Sequence, residues 1–253
     1  MNERHLILLS GWGTDATPMR EMAEQLGAKD FTALDLRQLY EVGIATTTTN
    51  GTEESLSVYA GGLSEIMKKT DGEVDVVGWS TGGIIALELA RLFPDDFGRL
   101  VLLSSTPKFC EGDDFPYGIP VNTLKAMQLG LRRSPERTLR DFLNQAASPV
   151  CLDEDQLEEG VANALTQGKD VMRDGLKYLK DSDYRDGLRN IKCPCLILHG
   201  RRDQIIPYGA AQWLDEALPN SESVIYPEGG HQLLMQYGSD VVSRISAFLE
   251  ASK

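Results

Sequence analysis

Val74-Asp75-Val76-Val77-Gly78-Trp79-Ser80-Thr81-Gly82-Gly83-Ile84-Ile85 is the stretch whose reading decides the fold. Val74–Val77 is a short apolar run of the kind that forms a fully buried strand, and Ile84–Phe93 reads as a helix. Between them lies Gly78-Trp79-Ser80-Thr81-Gly82, a G-x-S-x-G pentapeptide. A serine hydroxyl is a weak nucleophile unless it is held on a sharp strand-to-helix turn, where its oxygen is exposed and the following N–H groups face developing negative charge. Glycines two residues before and two after the serine let that turn close without side-chain collisions. Two glycines around a serine also arise by accident, so it is the placement between strand and helix that makes Ser80 a candidate nucleophile.

Outward from this segment, short apolar runs alternate with helix-period segments, the pattern of a parallel sheet with helices on its faces. The expected strands are His5–Leu9, Phe31–Leu36, Val74–Gly78, Leu100–Ser104, Cys195–Leu198 and Ser223–Tyr226. Helices are expected over Pro18–Leu26, over Ser55–Lys69 and at the C-terminus through Val241, Val242, Ile245, Phe248 and Leu249. The stretch Thr46–Gly51 reads as an exposed loop before a helix. Between Pro107 and Asn190 the alternation breaks and no convincing strand is found. Val121–Leu131, Pro135–Ala146 (with Ser134 as its N-cap), Asp153–Gln167 and Asp170–Lys180 read as helices of an inserted cap. The fold class is therefore α/β, a mostly parallel central sheet with helices on both faces. Residues 1–106 and 191–253 form the core and 107–190 a helical cap, or lid.

The chain of 253 residues, 42% hydrophobic and 25% charged, is long enough for one such domain with an insertion. Its net charge of −13 argues against nucleic acid and anionic membranes as partners, because phosphates are bound by Lys and Arg. No window approaches the roughly 18 apolar residues of a spanning helix. The first apolar run, Leu6–Leu9, is too short for a signal-peptide core, so cytoplasmic residence is expected. A monomer is the default expectation and rests on no sequence feature. Cys110, Cys151, Cys193 and Cys195 show neither zinc-ligand spacing nor a C-x-x-C pair; they read as reduced, structural thiols, and no metal is expected.

A serine nucleophile needs a base and a carboxylate to orient that base. Of three histidines, His5 opens a strand and His199 closes one, and both read as structural. His231 follows Pro227-Glu228-Gly229-Gly230 in a loop at a strand's carboxyl end, where open α/β sheets place their sites. Asp203 lies in the loop Gly200–Pro207 after the preceding strand. An aspartate there is ordinarily a turn former. With Ser80 and His231 it completes the chain order Ser, Asp, His of an α/β-hydrolase, and the catalytic residues are read as Ser80, Asp203 and His231. Glu228 is too near His231 along the chain to reach its far ring nitrogen. The oxyanion of a tetrahedral intermediate needs two N–H donors. One is expected from Thr81, after the nucleophile, and the other from Trp12 in Ser10-Gly11-Trp12-Gly13. The Trp12 indole either walls an acyl pocket or is an ordinary packed aromatic.

Ser10-Gly11-Trp12-Gly13, Gly78–Gly83, the Asp203 loop, Gly230-His231 and the segment Glu136–Leu143 together resemble the pimeloyl-[acyl-carrier protein] methyl ester carboxylesterases of biotin synthesis. The likeness spans nearly the whole chain. Its triad motifs are shared by many α/β-hydrolases, whereas the two Trp-containing motifs and the cap segment favour this family. The resemblance implies hydrolysis of a pimeloyl methyl ester, releasing methanol while the acyl chain stays on acyl carrier protein, with no cofactor. It implies Trp12, Trp79 and Phe142 as substrate-binding residues, and Arg132, Arg133, Arg137 and Arg140 as the carrier-docking group. The bland reading of these arginines is a solvated helix face.

Four departures stand out. Ser10 replaces a common histidine, and Asp35–Tyr40 lacks the usual Asp-x-Pro-Gly-x-Gly turn, so that loop is expected to be rebuilt. Asp141 stands where an arginine can occur. The segment carrying Asp153, Glu154, Asp155, Glu158 and Glu159 is acidic where a carrier-binding face would be basic. The same residues fit a general short-chain esterase, a thioesterase or a C–C bond hydrolase, which fold and triad do not separate. A non-catalytic ligand-binding protein of the same fold is the alternative from another class, but such proteins usually lose a triad member and none is missing here.

Overall fold

The computed structural model describes residues 4–47 and 56–251. Its strands are β1 (Leu6–Leu9), β2 (Phe31–Leu34), β3 (Val74–Trp79), β4 (Phe97–Leu103), β5 (Cys195–Gly200) and β6 (Ser221–Tyr226). Its helices are α1 (Thr17–Gln25), α2 (Leu36–Thr47), α3 (Val58–Met67), α4 (Thr81–Ala90), α5 (Val121–Arg133), α6 (Pro135–Ala147), α7 (Glu154–Thr166), α8 (Lys169–Asp181), α9 (Tyr208–Ala217) and α10 (Leu233–Glu250). The strands form one sheet in the order β2-β1-β3-β4-β5-β6, every described pairing parallel.

The central strands are buried on both faces, as the uninterrupted apolar runs require. Alternate residues separate two cores. Ile7, Leu9, Val74, Val76, Leu100, Leu102 and Ile197 pack toward α3 and α4. Leu6, Leu8, Val77, Val101, Leu103, Leu196 and Leu198 pack toward α1 and α10. Helix α4 is buried along its whole length, so its one charge, Glu88, must be satisfied internally. Its carboxylate accepts the Ser57 N–H and hydroxyl, each at 2.7 Å, and the Tyr178 hydroxyl at 2.9 Å. These bonds join α4 to the N-cap of α3 and to α8.

Two helices were not expected. Helix α2 begins directly after β2, where the second strand was read through to Leu36. Asp35 and Gln38 form a reciprocal cap there: Asp35 Oδ1 accepts the Gln38 N–H at 2.9 Å, and Gln38 Oε1 accepts the Asp35 N–H at 3.0 Å. The rebuilt loop is thus a capped helix, and Thr46 and Thr47 end it rather than belonging to a loop. The rest of the threonine-rich stretch, and the expected helix start at Ser55, lie outside the described residues. Helix α9 follows Pro207 and buries Ala210, Ala211 and Leu214.

Ser134 does not cap with its side chain. It is the single residue between α5 and α6, and its carbonyl instead accepts the Thr138 N–H at 3.0 Å. Of the two histidines read as structural, His5 meets Asp30 at 2.8 Å and Thr32 at 2.8 Å, joining β1 to β2. Cys110, Cys193 and Cys195 are buried and Cys151 is exposed, all unbridged.

Helices α5–α8 lie between β4 and β5. The chain's departure and return are pinned together by a Tyr184 N–H to Pro107 carbonyl bond of 2.9 Å and by Lys108 Nζ on Asp183 at 2.9 Å. Arg185 reaches the same carboxylate at 2.7 Å. Burial alone would raise the Asp183 pKa, but the hydrogen bonds and charges of Arg185 and Lys108 outweigh it and hold it at about 2. An ordinary aspartate titrates at about 3.9, so these two ion pairs stabilise the fold fully above about pH 4 and lose that contribution as pH falls toward 2. Asp183→Asn should therefore lower the thermal midpoint at pH 7, and the gap to wild type should narrow on acidification. A gap that does not narrow between pH 5 and pH 2.5 would contradict this.

Candidate active site

Four loops at the carboxyl ends of β1, β3, β5 and β6 converge above the sheet, where a parallel α/β fold leaves an open crevice. Ser80 stands on the tightest of them, with φ 53° and ψ −119°. Positive φ is costly for a residue with a Cβ and persists only where the surroundings impose it. Here the Ser80 N–H donates to the Leu103 carbonyl at 2.9 Å, and the Ser105 hydroxyl donates to the Ser80 carbonyl at 2.9 Å. The flanking glycines are needed for close approach. A Cβ on Gly78 would lie 2.5 Å from the Gly83 Cα, and one on Gly82 would lie 2.5 Å from the Leu9 carbonyl oxygen.

The structure brings Ser80, His231 and Asp203 into one hydrogen-bonded line. His231 Nε2 is 3.0 Å from Ser80 Oγ, and its Nδ1 is 2.7 Å from Asp203 Oδ2. All three residues are buried. The other carboxylate oxygen, Asp203 Oδ1, accepts the Ile205 N–H at 2.7 Å and the Ile206 N–H at 2.8 Å. Burial opposes the charge on Asp203, but His231, then His199 and the Ile206 N–H, outweigh it and hold its pKa below the ordinary carboxylate value. His199 lies beneath, fully buried, with Nε2 3.0 Å from the Ile206 carbonyl and 3.6 Å from Asp203 Oδ2. Burial lowers its pKa, outweighing the opposing pull of Asp203 and of the Ile206 carbonyl. Glu228 is turned away and pairs with Arg202.

The backbone N–H groups of Trp12 and Thr81 donate to no acceptor among the described residues. Both residues border a narrow, mainly apolar cavity at Ser80. Phe142 and Leu124, Met127, Leu176 and Leu179 from α5 and α8 supply much of its wall, with Gln145 and Gln204 at an exposed mouth. The Trp12 indole does two things at once. It walls the cavity and is a packed aromatic, edge-on to Phe142 at 5.0 Å, with Nε1 donating to the Met172 carbonyl at 2.9 Å.

Trp79 requires a correction. It borders a separate cavity with Thr17, Leu143 and Gln232 rather than the one at Ser80. Its indole lies behind His231, ring centroids 6.0 Å apart, and donates to the His231 carbonyl at 3.3 Å. The reason is strand alternation: Ser80 turns up into the crevice, so its neighbour in β3 points to the α1–α10 side. Trp79 supports the histidine loop and does not border the cavity at Ser80.

The four arginines differ in what they face. Arg140 is spent on Glu154 at 2.8 Å, and Arg137 faces Asp141 at 4.0 Å. Arg132 borders a groove of about 670 Å³ together with Lys169 and Arg173 of α8, and Arg173 is paired with Asp170 at 2.9 Å and Asp174 at 3.2 Å. Arg133 is exposed in the last turn of α5. Ser10, the departure beside Trp12, is buried and donates to the Asp15 carbonyl at 2.7 Å. Among the described residues no His, Cys, Asp and Glu cluster is arranged to hold a metal ion, and no helix is long and apolar enough to cross a membrane.

Residues 6–245 match the model of the alpha/beta hydrolase family. The chain is 30% identical over 249 residues to the pimeloyl-[acyl-carrier protein] methyl ester esterase of Nitrosomonas europaea, covering 95% of this chain and 98% of that one. It is 29% identical to the protein of the same name from Klebsiella pneumoniae, covering 97% and 91%. Among solved structures, an esterase from Exiguobacterium antarcticum superposes with a TM-score of 0.84 at 20% identity, covering 98% of this chain and 92% of its own. That likeness concerns the fold.

Proposed function

Because this chain belongs to the alpha/beta hydrolase family, we propose that it is a serine carboxylesterase that hydrolyses pimeloyl-[acyl-carrier protein] methyl ester to pimeloyl-[acyl-carrier protein] and methanol in biotin synthesis. The observation that carries this reading is the Ser80–His231–Asp203 line of 3.0 and 2.7 Å, in a chain similar over nearly its whole length to esterases of that name.

In the proposed reaction His231 Nε2 takes the Ser80 proton as Oγ attacks the ester carbonyl, and Asp203 holds the proton on Nδ1 and stabilises the imidazolium. The oxyanion is received by the N–H groups of Trp12 and Thr81. Collapse expels methoxide, which leaves as methanol with the proton from His231, and the acyl group remains on Ser80. Water then gives a proton to His231 and attacks the acyl-enzyme, releasing the carboxylic acid and returning the proton to Ser80. The route needs no metal or organic cofactor. The apolar cavity accepts the methylene chain, with Phe142 and Trp12 as walls.

Residues 107–190 act in this reading as the cap over the acyl chain, and the carrier is held by its free cations. Arg132 and Arg133 are the better candidates within the original four, since Arg137 and Arg140 already face carboxylates. Purified protein should release methanol from the carrier-bound methyl ester faster than from the free ester. Charge reversal at Arg132 and Arg133 should reduce that preference about tenfold, as loss of long-range attraction to an acidic partner predicts. Equal or better turnover of small free esters would instead indicate a general esterase, and absence of methanol would reject the substrate.

A further inference from the structure

The loops carrying Asp203 and His231 are tied to the C-terminal end of α6 by glutamine side chains that the reaction does not use. Gln236 Oε1 accepts the Gly230 N–H at 2.7 Å, and Gln236 Nε2 donates to the Ala147 carbonyl at 2.9 Å. Gln204, next to Asp203, donates through Nε2 to Ser148 Oγ at 2.8 Å, while its own carbonyl accepts Gln145 Nε2 at 2.9 Å. Gly230 packs against the Ser148 carbonyl so closely that a Cβ would collide with it. Residues 145–148 are thus fastened to the immediate neighbours of both Asp203 and His231. The same helix supplies Phe142 to the cavity wall, and Gln145 and Gln204 stand at its mouth.

We propose that Gln236 is a positioning residue that makes the placement of His231 depend on the seating of α6 over the acyl cavity. A carboxamide presents one acceptor and one donor end, so a single orientation satisfies Gly230 and Ala147 together. The loop needs such an external anchor. Gly229-Gly230 has no side chains of its own to pack, and glycine leaves the backbone free. Helix α10 presents Gln236 from a first turn set off from the rest of the helix by a kink at the non-helical Tyr237 (φ −136°, ψ 25°). An acyl chain long enough to fill the cavity packs against α6 and holds it in the register that Gln236 transmits. A two-carbon acyl group does not reach that far. Chain-length preference should therefore appear in kcat, and not in KM alone.

The inference rests on the esterase reading, and its test separates the two. p-Nitrophenyl acetate and p-nitrophenyl hexanoate are compared in wild type, Gln236→Met, Gln236→Glu and Ser80→Ala, with thermal midpoints recorded. Wild type should turn over the hexanoate faster. Gln236→Met, which loses both bonds, should lose roughly 30-fold in hexanoate kcat with KM within about twofold, and its hexanoate-to-acetate ratio should fall toward one, because a displacement near 1 Å costs on the order of 100-fold. Gln236→Glu keeps the acceptor for Gly230 but not the donor to Ala147. It should hold acetate turnover within about threefold while losing the hexanoate advantage, an uncoupling that a merely structural role would not produce. Wild-type kcat and ratio in Gln236→Met, with a change only in thermal midpoint, would overturn the positioning role. Should Gln236→Met fail to fold, Gln145→Met combined with Gln204→Met severs the second tie, removing both the bond to the Gln204 carbonyl and the bond to Ser148 Oγ: a lowered ratio supports the coupling and an unchanged ratio overturns it. Turnover surviving in Ser80→Ala would overturn the esterase reading, and the positioning role with it.

Discussion

Ser80→Ala is expected to lower kcat about 10⁴- to 10⁶-fold while leaving KM and the thermal midpoint near wild type, because it deletes the atom that bonds to the substrate and little else. The elbow should tolerate the change. Its strain is imposed by the Ser80 N–H on Leu103, by Ser105 on the Ser80 carbonyl and by the close approach of Gly78 to Gly83, none of which uses the hydroxyl. Releasing a residue from φ 53° would need all three to yield. Residual catalysis of about 10³- to 10⁴-fold over water is expected from the oxyanion donors and binding alone. The variant should also fail to react with a serine-directed fluorophosphonate that labels wild type. An active Ser80→Ala protein would remove the nucleophile from the mechanism, and a wild-type protein that does not label would favour a non-catalytic ligand binder.

Asp203→Asn should be nearly as damaging, about 10⁴-fold in kcat, and its cause can be read from the local hydrogen bonds. Asp203 Oδ1 accepts two backbone N–H groups, from Ile205 and Ile206 at 2.7 and 2.8 Å. An asparagine placed here must turn its carbonyl oxygen to those donors, which points its NH2 at His231 Nδ1. The imidazole then accepts at Nδ1 and carries its proton on Nε2, facing Ser80 Oγ with a donor where the reaction needs an acceptor. The wrong tautomer is thus enforced by two backbone bonds remote from the serine. Binding should change little, since Asp203 does not line the cavity. A steady-state assay giving unchanged kcat would refute the assignment. Asp203→Ala, by contrast, should also destabilise the protein, because it leaves the Ile205 and Ile206 N–H groups buried without an acceptor.

The two glutamine ties explain why such a site can be built on loops. His231 follows a pair of glycines and Asp203 sits in a turn, yet both loops are held by residues 145–148, next to the helix that borders the cavity at Ser80. Phe142, Gln145 and the Ala147 carbonyl lie on the same helix or its last turn. One helix and its last turn therefore carry both part of the cavity wall and the ties to the two loops.

Much of the fold was legible in the sequence, and its failures have local causes. Each of the six strands was found: β1, β3, β4 and β5 are near-continuous apolar runs buried on both faces, and the half-buried edge strands β2 and β6 show through Phe31, Ala33 and Leu34 and through Val224, Ile225 and Tyr226. Helix α2 was missed although Asp35 and Gln38 announce its start; the helix carries Gly43 and ends in threonines, so its propensity is weak and its burial against α3 does the work. Helix α9 was missed because its buried residues are mostly alanines. Ser134 looked like a cap by residue type, but a one-residue connection between two helices puts it at φ −151° and ψ 72°, where its carbonyl and not its hydroxyl serves the next helix.

Chain order and residue type by themselves determined the alternating architecture, the turn that carries Ser80, and the choice of Asp203 and His231 as its companions, since those depend on local periodicity and on which chemistry each loop can supply. Only the tertiary structure decided that Trp79 backs His231 instead of walling the cavity, that Arg140 is spent on Glu154, that Arg132 shares a groove with Lys169 and Arg173, and that Gln236 bridges α6 to the histidine loop. These are contacts between residues about 14 to 152 positions apart, set by how helices pack over the sheet, and no local pattern encodes which side chain meets which across that distance.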